Sequence, residues 1–181
     1  MPATVSVILC THNPRADYLS RVLASLRGRT LPAEQWELLL IDNASEQPLA
    51  EIRDISWHPR GRHISELGLT LARLRGIQES DGGLLVFVDD DNLVAPDFLD
   101  QAIAISARFP ILGVFGAGVL EAEFEVQPPL ELRSHLHLLA LRRAPSPSLR
   151  FRKRRGSRAG ELLDRHRRNH GFCGSLRRRL V

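Results

Sequence analysis

The chain has 181 residues, 43% of them apolar and 25% charged, the composition of a globular domain with a sizeable buried core. No apolar run reaches the ~20 residues needed to span a bilayer, which excludes a helical membrane protein by composition. The formal charge of +4 is divided: from Arg142 onward 14 Lys or Arg face only Glu161 and Asp164, a balance of +12, which leaves −8 for residues 1–141. The basic character belongs to the tail and is no argument for a nucleic-acid-binding domain.

Along the chain, strand-like and helix-like segments alternate. Val5 to Cys10 is a short, β-branched apolar run that suits a buried parallel strand. After the Asn13-Pro14 turn, Leu19, Val22, Leu23 and Leu26 recur at helical spacing, and Pro32 bars further helix. Glu37 to Ile41 reads as a second buried strand, ending at Asp42-Asn43-Ala44-Ser45, and 56–64 holds one short strand. From Gly68 to Gln78, Leu71, Leu74 and Ile77 mark another helix. Asp81-Gly82-Gly83 turns the chain into Leu84 to Val88, the strongest strand signal present. Pro96 opens a helix carrying Phe98, Leu99, Ala102 and Ile103, with Asp97 at its positive end. Val114 to Leu120 is a further strand candidate, loosened by Gly116 and Gly118.

This alternation predicts an α/β domain with a mainly parallel sheet flanked by helices. In such sheets ligands bind at the carboxyl ends of the strands. Three strand ends are polar, at Thr11-His12-Asn13, Asp42-Asn43 and Asp89-Asp90-Asp91-Asn92, and the topology brings them to one edge. Three adjacent aspartates after an apolar strand repel one another, and a hard divalent cation relieves that repulsion through oxygen ligands. Period-two alternation puts Asp89 and Asp91 on one side with Asp90 turned away, so the expected chelating pair is Asp89 and Asp91. The competing reading is a solvated acidic turn ahead of the helix at Pro96. Haloacid-dehalogenase-like phosphatases also carry D-x-D after a strand, but near their N-terminus and followed by Gly and Thr or Val, unlike Asn92-Leu93-Val94.

Taken together these residues resemble the family 2 glycosyltransferases, which have the GT-A fold. Cys10-Thr11-His12-Asn13 stands where the family's first strand ends in a Pro-Thr-Tyr-Asn-like signature. Asp42-Asn43-Ala44-Ser45 matches its Asp-Asp-Gly-Ser. The helix signature Asn-x-Gly-x-x-x-Ala-Arg-Asn-x-Gly is approximated by residues 66–76, with Leu74 in place of Asn. The D-x-D strand is Phe87 to Asn92. The resemblance covers roughly residues 4–120 and implies a site for a nucleotide-diphosphate sugar. It assigns Cys10, Thr11, His12, Asn13, Asp42, Arg73, Asp89 and Asp90 to that donor, and Asp91 with Asp89 to Mn²⁺ or Mg²⁺. Within it Asp42 contacts the base, His12 replaces an aromatic that stacks on the base, and Arg73 assists near the nucleotide.

It also implies an inverting displacement with a carboxylate base that deprotonates a saccharide or lipid-linked acceptor. Glu121, Glu123, Glu125 and Glu131 are available, yet none stands in a recognisable base motif, so the catalytic base is unassigned. The alternative is a non-catalytic nucleotide-sugar-binding remnant lacking the acceptor half. A nucleotidyltransferase would place a glycine-rich basic loop after the first strand, and a dinucleotide-binding oxidoreductase a G-x-G-x-x-G; both are absent. Cys10 and Cys173 form no disulfide framework, and Cys10 reads as a small buried hydrophobe. His166, His170 and Cys173 have a zinc-like spacing without a fourth ligand. With no basic-then-apolar leader, a cytoplasmic location is expected. The expected organisation is an incomplete donor-binding domain over 1–143 and a basic, Arg-rich tail over 144–181 that is disordered, or a truncated or frameshifted ending.

Overall fold

A computed structural model describes residues 4–47, 49, 55–58, 60–117, 119–136, 142–143 and 175–180. Four strands, β1 (Val5–Thr11), β2 (Trp36–Asp42), β3 (Gly61–Ser65) and β4 (Leu84–Asp89), form a parallel sheet in the order β3-β2-β1-β4. Helix α1 (Ala16–Arg27) follows β1, α2 (Leu69–Glu79) connects β3 to β4, and α3 (Phe98–Arg108) follows a short strand, β5 (Asn92–Val94). β6 (Val119–Phe124), a four-residue helix α4 (Leu130–Arg133), β7 (Arg142–Arg143) and β8 (Ser175–Leu180) complete the described elements. A second sheet has the order β5-β8-β6-β7, with β8 antiparallel to β5 and parallel to β6. No helix of the described residues is long and apolar enough to cross a membrane.

Alternation along the central strands sorts the core into two layers. On one face Val5, Val7 and Leu9 of β1, Leu38 and Leu40 of β2, and Leu84, Val86 and Val88 of β4 pack under Leu19, Val22, Leu23 and Leu26 of α1 and Phe98, Leu99 and Ala102 of α3. On the other, Ile8, Leu39, Ile41 and Leu85 pack under Ala72, with Cys10, Ile64 and Ile77 alongside. Nearly all of these strand residues are buried from both sides, the reason their sequence reads as continuous apolar runs rather than alternating ones.

The helix expected over 68–78 is present, but its leucines do not form its buried side, and one strand expectation needs correction. Leu71 and Leu74 of α2 are 55% and 45% exposed; the helix meets the sheet through Ala72 and Gly76 instead. A Cβ added at Gly76 would stand 2.5 Å from the Ile8 Cγ2 methyl, so close approach of backbone to sheet replaces leucine packing at this contact. The strand anticipated at 114–120 begins only at Val119 and runs to Phe124, and 114–117 has no regular structure. β5 and β8 were not anticipated: the first has three residues, and Ser175-Leu176-Arg177-Arg178-Arg179-Leu180 lacks period-two alternation. Residues 144–174, including His166, His170 and Cys173, lie outside the described residues.

Candidate functional site

Parallel register places the strand ends side by side. Thr11 pairs with Asp42, Asp42 with Ser65, and Cys10 with Asp89. Three sequence segments up to 78 residues apart, counting from Thr11 to Asp89, thus share one edge of the sheet. The side chains at this edge largely bind one another and the loop backbone.

Asp42 is 6% exposed, and its Oδ1 and Oδ2 accept the N–H groups of Ser45 at 2.9 Å and Leu49 at 3.0 Å. Burial raises this carboxyl's pKa, but donations from Ser45 and Leu49 outweigh burial and hold it below the ordinary aspartate value. Asn43 joins three elements. Its N–H donates to the Thr11 carbonyl at 2.8 Å, and its carbonyl accepts the His12 Nδ1–H at 2.7 Å. Its Oδ1 accepts the Gly68 N–H at 2.6 Å at the start of α2. Because His12 Nδ1 donates, Nε2 of a neutral ring is the acceptor, and the Asn13 amide donates to it at 3.3 Å. Asn13 and Ala44 both adopt positive φ, 44° and 52°. The Asn13 Oδ1 accepts the Glu46 N–H at 2.8 Å, and its own N–H donates to Ser45 Oγ at 2.9 Å. Ser45 and Gly68 therefore belong to the site's framework. Sequence offers one signal for Gly68, its place in the helix signature, where φ of 95° explains glycine.

The acidic triplet is not one continuous extended strand, and its side chains meet different neighbours. β4 ends at Asp89 and the chain turns at Asp90 and Asp91, so period-two alternation does not extend through the cluster. Asp89 lies on the α2 side, with Oδ1 3.6 Å from the Arg73 guanidinium and Oδ2 accepting the Asn92 amide at 3.3 Å. Asp90 accepts a hydrogen bond from the buried Thr11 hydroxyl. Asp91 lines a small cavity with Tyr18, Arg21 and Val22 of α1 and with Leu93. Burial pushes the Asp90 carboxyl above the ordinary aspartate value, and the Asp91 and Asp89 charges push it the same way against the Thr11 donation.

Cys10 contributes no reactive thiolate. Burial raises its thiol to about 11, opposed by the Arg73 charge and reinforced by Asp89. Of the acidic residues considered as bases, Glu123 forms an ion pair with Arg21 at 2.8 Å and Glu125 with Arg15 at 3.0 Å. These pairs tie the β6 region to α1. Among the described residues no three His, Cys, Asp or Glu side chains converge as a metal-binding group. The oxygen donors of Asp89 and Asp91 suit a hard cation that takes most of its ligands from a bound phosphate, the usual arrangement for Mg²⁺.

The sequence matches the glycosyl transferase family 2 profile over residues 6–180. It is 32% identical over 107 residues to polypeptide N-acetylgalactosaminyltransferase 8 of Drosophila melanogaster, covering 56% of this chain and 18% of that protein. Among solved structures, GalNAc-T7 with UDP, GalNAc and Mn²⁺ superposes with a TM-score of 0.58 at 21% identity, over 68% of this chain and 24% of that one. S. aureus TarS 1-349 in complex with UDP-GlcNAc superposes with a TM-score of 0.52 at 19% identity, over 71% and 38%. The structural likeness is one of fold, a mainly parallel sheet flanked by helices, and this chain spans well under half the length of each relative.

Proposed function

Since this chain belongs to glycosyl transferase family 2, we propose that its strand-end crevice binds a nucleoside-diphosphate sugar and that the protein transfers the sugar to an acceptor hydroxyl. The observation that carries this reading is the register that sets Thr11, Asp42 and Asp89 side by side at the carboxyl ends of β1, β2 and β4. TarS bound to UDP-GlcNAc and GalNAc-T7 bound to UDP support a uridine-diphosphate donor.

The roles follow from position. Thr11, His12 and Asn13 at the end of β1 and Asp42 at the end of β2 form the nucleoside end, with the half-buried Cys10 as packing beneath them. Asp90, held by Thr11, spans the two strand ends and faces the ribose. Arg73 stands where a guanidinium meets phosphate, its charge balanced by Asp89 until a ligand arrives. Asp91, assisted by Asp89, would hold Mn²⁺ or Mg²⁺, in line with the Mn²⁺ of the GalNAc-T7 structure. The chemistry such a cation supplies is neutralisation of the charge gathering on the departing diphosphate. In the inverting displacement proposed, the acceptor oxygen bonds to the anomeric carbon, the bond to the diphosphate oxygen breaks, and a carboxylate takes the hydroxyl proton.

Calorimetric titration of UDP and GDP, with and without Mn²⁺, tests the donor site in the wild type and in Asp91→Ala. Mn²⁺-dependent binding that weakens at least tenfold in the variant is the expected result. Failure of the folded protein to bind any nucleoside diphosphate overturns the reading.

A further inference from the structure

β2 ends in two neighbouring side chains that differ in what they leave available. Both oxygens of Asp42 already accept backbone N–H groups, and the residue is 6% exposed. Asn43 is only half-buried, and its Oδ1 is taken by the Gly68 N–H at 2.6 Å. That bond orients the amide: the oxygen faces α2, and the NH₂ is the end left over. The Nδ2 has no hydrogen-bond partner among the described residues, and it is not one of the enclosed polar atoms, so solvent reaches it. Beside it stands the exposed His12 ring, its Nδ1–H bound to the Asn43 carbonyl. A flat ring and an unspent donor thus lie together at the end of β1 and β2, while Asp42 is occupied in holding the loop.

We propose that Asn43 selects the base of the bound nucleotide. Its Nδ2–H₂ donates to the exocyclic oxygen at C4 of the pyrimidine, so the crevice takes a base with a carbonyl at that position, such as uracil, and rejects one with an amino group there, such as cytosine. An amino group would set donor against donor and leave both unpaired. This proposal rests on the donor-site reading above and adds a selecting residue to it.

The test compares UDP with CDP, which share ribose, diphosphate, ring size and the carbonyl at C2, and differ at C4 and in whether the adjoining N3 donates, as in uracil, or accepts, as in cytosine. Asn43→Asp keeps the shape of the side chain and an oxygen for the Gly68 N–H, but turns the free donor into an acceptor. The added negative charge weakens both nucleotides alike, and contacts of other residues to N3 are the same in both proteins, so the change in the ratio of dissociation constants between wild type and variant isolates the contact of residue 43 to the base. Wild type is expected to bind UDP at least tenfold tighter than CDP, and that preference to fall at least tenfold in Asn43→Asp. Matching circular dichroism and unfolding midpoints would show that the variant is folded. An unchanged ratio in a folded Asn43→Asp overturns the proposal, and so does equal affinity of wild type for UDP and CDP, which needs no variant. In both cases UDP still binds and the donor site stands. Binding of neither nucleotide by folded wild type removes the donor site itself, and this assignment with it.

Discussion

Ala44 adopts φ of 52° on an exposed stretch between Asp42 and Ser45. An L-residue with a Cβ is held there at a cost of roughly 1–2 kcal/mol. Ala44→Gly removes that strain, whereas the greater freedom of glycine in the unfolded chain returns about 0.5–1 kcal/mol. The methyl is exposed, so no apolar burial is lost in exchange. The net expectation is a gain of roughly 0.5–1 kcal/mol, a rise in Tm of about 1–4 °C for a chain of this size. Urea unfolding followed by circular dichroism, with calorimetry for Tm, measures the difference. UDP affinity stays within about twofold, an order-of-magnitude limit for a turn whose hydrogen bonds are kept. A loss of stability in Ala44→Gly would refute the reasoning, because it would mean that the turn does not hold this residue in the left-handed region.

Three further substitutions test the framework at other places. Glu37, its side chain 3% exposed, accepts hydrogen bonds from the Ser6 hydroxyl, the Asp81 N–H and Arg62 at the end of the sheet opposite the crevice. Glu37→Gln is expected to cost about 1.5–3 kcal/mol, held to that range because Arg62 is 38% exposed and keeps Glu79 and Asp81 nearby; a loss under ~0.5 kcal/mol in urea unfolding contradicts it. Gly76→Ala gains about 1 kcal/mol of helix propensity but drives a Cβ against Ile8, so a net loss of about 0–2 kcal/mol is expected, and a clear gain in midpoint would count against the packing described. His58 is 3% exposed between Trp36 and Trp57, with Nδ1 accepting the Arg60 N–H and Nε2 enclosed without a partner among the described residues. Burial pushes its pKa below the ordinary histidine value, helped by Arg60 and opposed by Glu37 and Glu34. With the folded value depressed, its contribution is complete above about pH 6.5 and is lost as pH falls below that. The stability difference between wild type and His58→Asn, whose oxygen replaces Nδ1, should therefore shrink on acidification; a difference independent of pH between 5 and 8, the span over which histidine titrates, would oppose this.

Sequence reveals three of the four central strands because burial on both faces demands unbroken apolar runs, and Val5 to Cys10, Glu37 to Ile41 and Leu84 to Val88 supply them; β3, with Gly61-Arg62-His63-Ile64-Ser65 at the edge of the sheet, has no such run. It also places the three polar strand ends on one edge, since parallel strands joined by helices leave no other arrangement. Local pattern fails where contact depends on a partner distant in sequence. Leu71 and Leu74 have the right spacing for a buried stripe, yet the buried line of α2 is set by what Ile8 admits, and that is Ala72 and Gly76. The division of the acidic triplet depends on where β4 ends, which the apolar run leaves open by a residue or two. The bond from Gly68 to Asn43 spans 25 residues and leaves no periodic trace.

The positions of the helix signature differ in what they do. Gly68 provides positive φ at the N-terminus of α2, Ala72 is fully buried against the sheet, and Gly76 allows the helix to approach Ile8. All three answer to backbone geometry, and only Arg73, half exposed and turned toward Asp89, carries charge to the crevice. Leu74, where the family has Asn, is solvent-exposed and takes no part in that geometry. The departure therefore leaves the scaffold intact, and any effect it has must act at the surface beside Arg73. Asp42, Asn43 and Ala44 divide likewise: the first anchors a loop, the third carries its strain, and the amide between them is the side chain left open to a ligand.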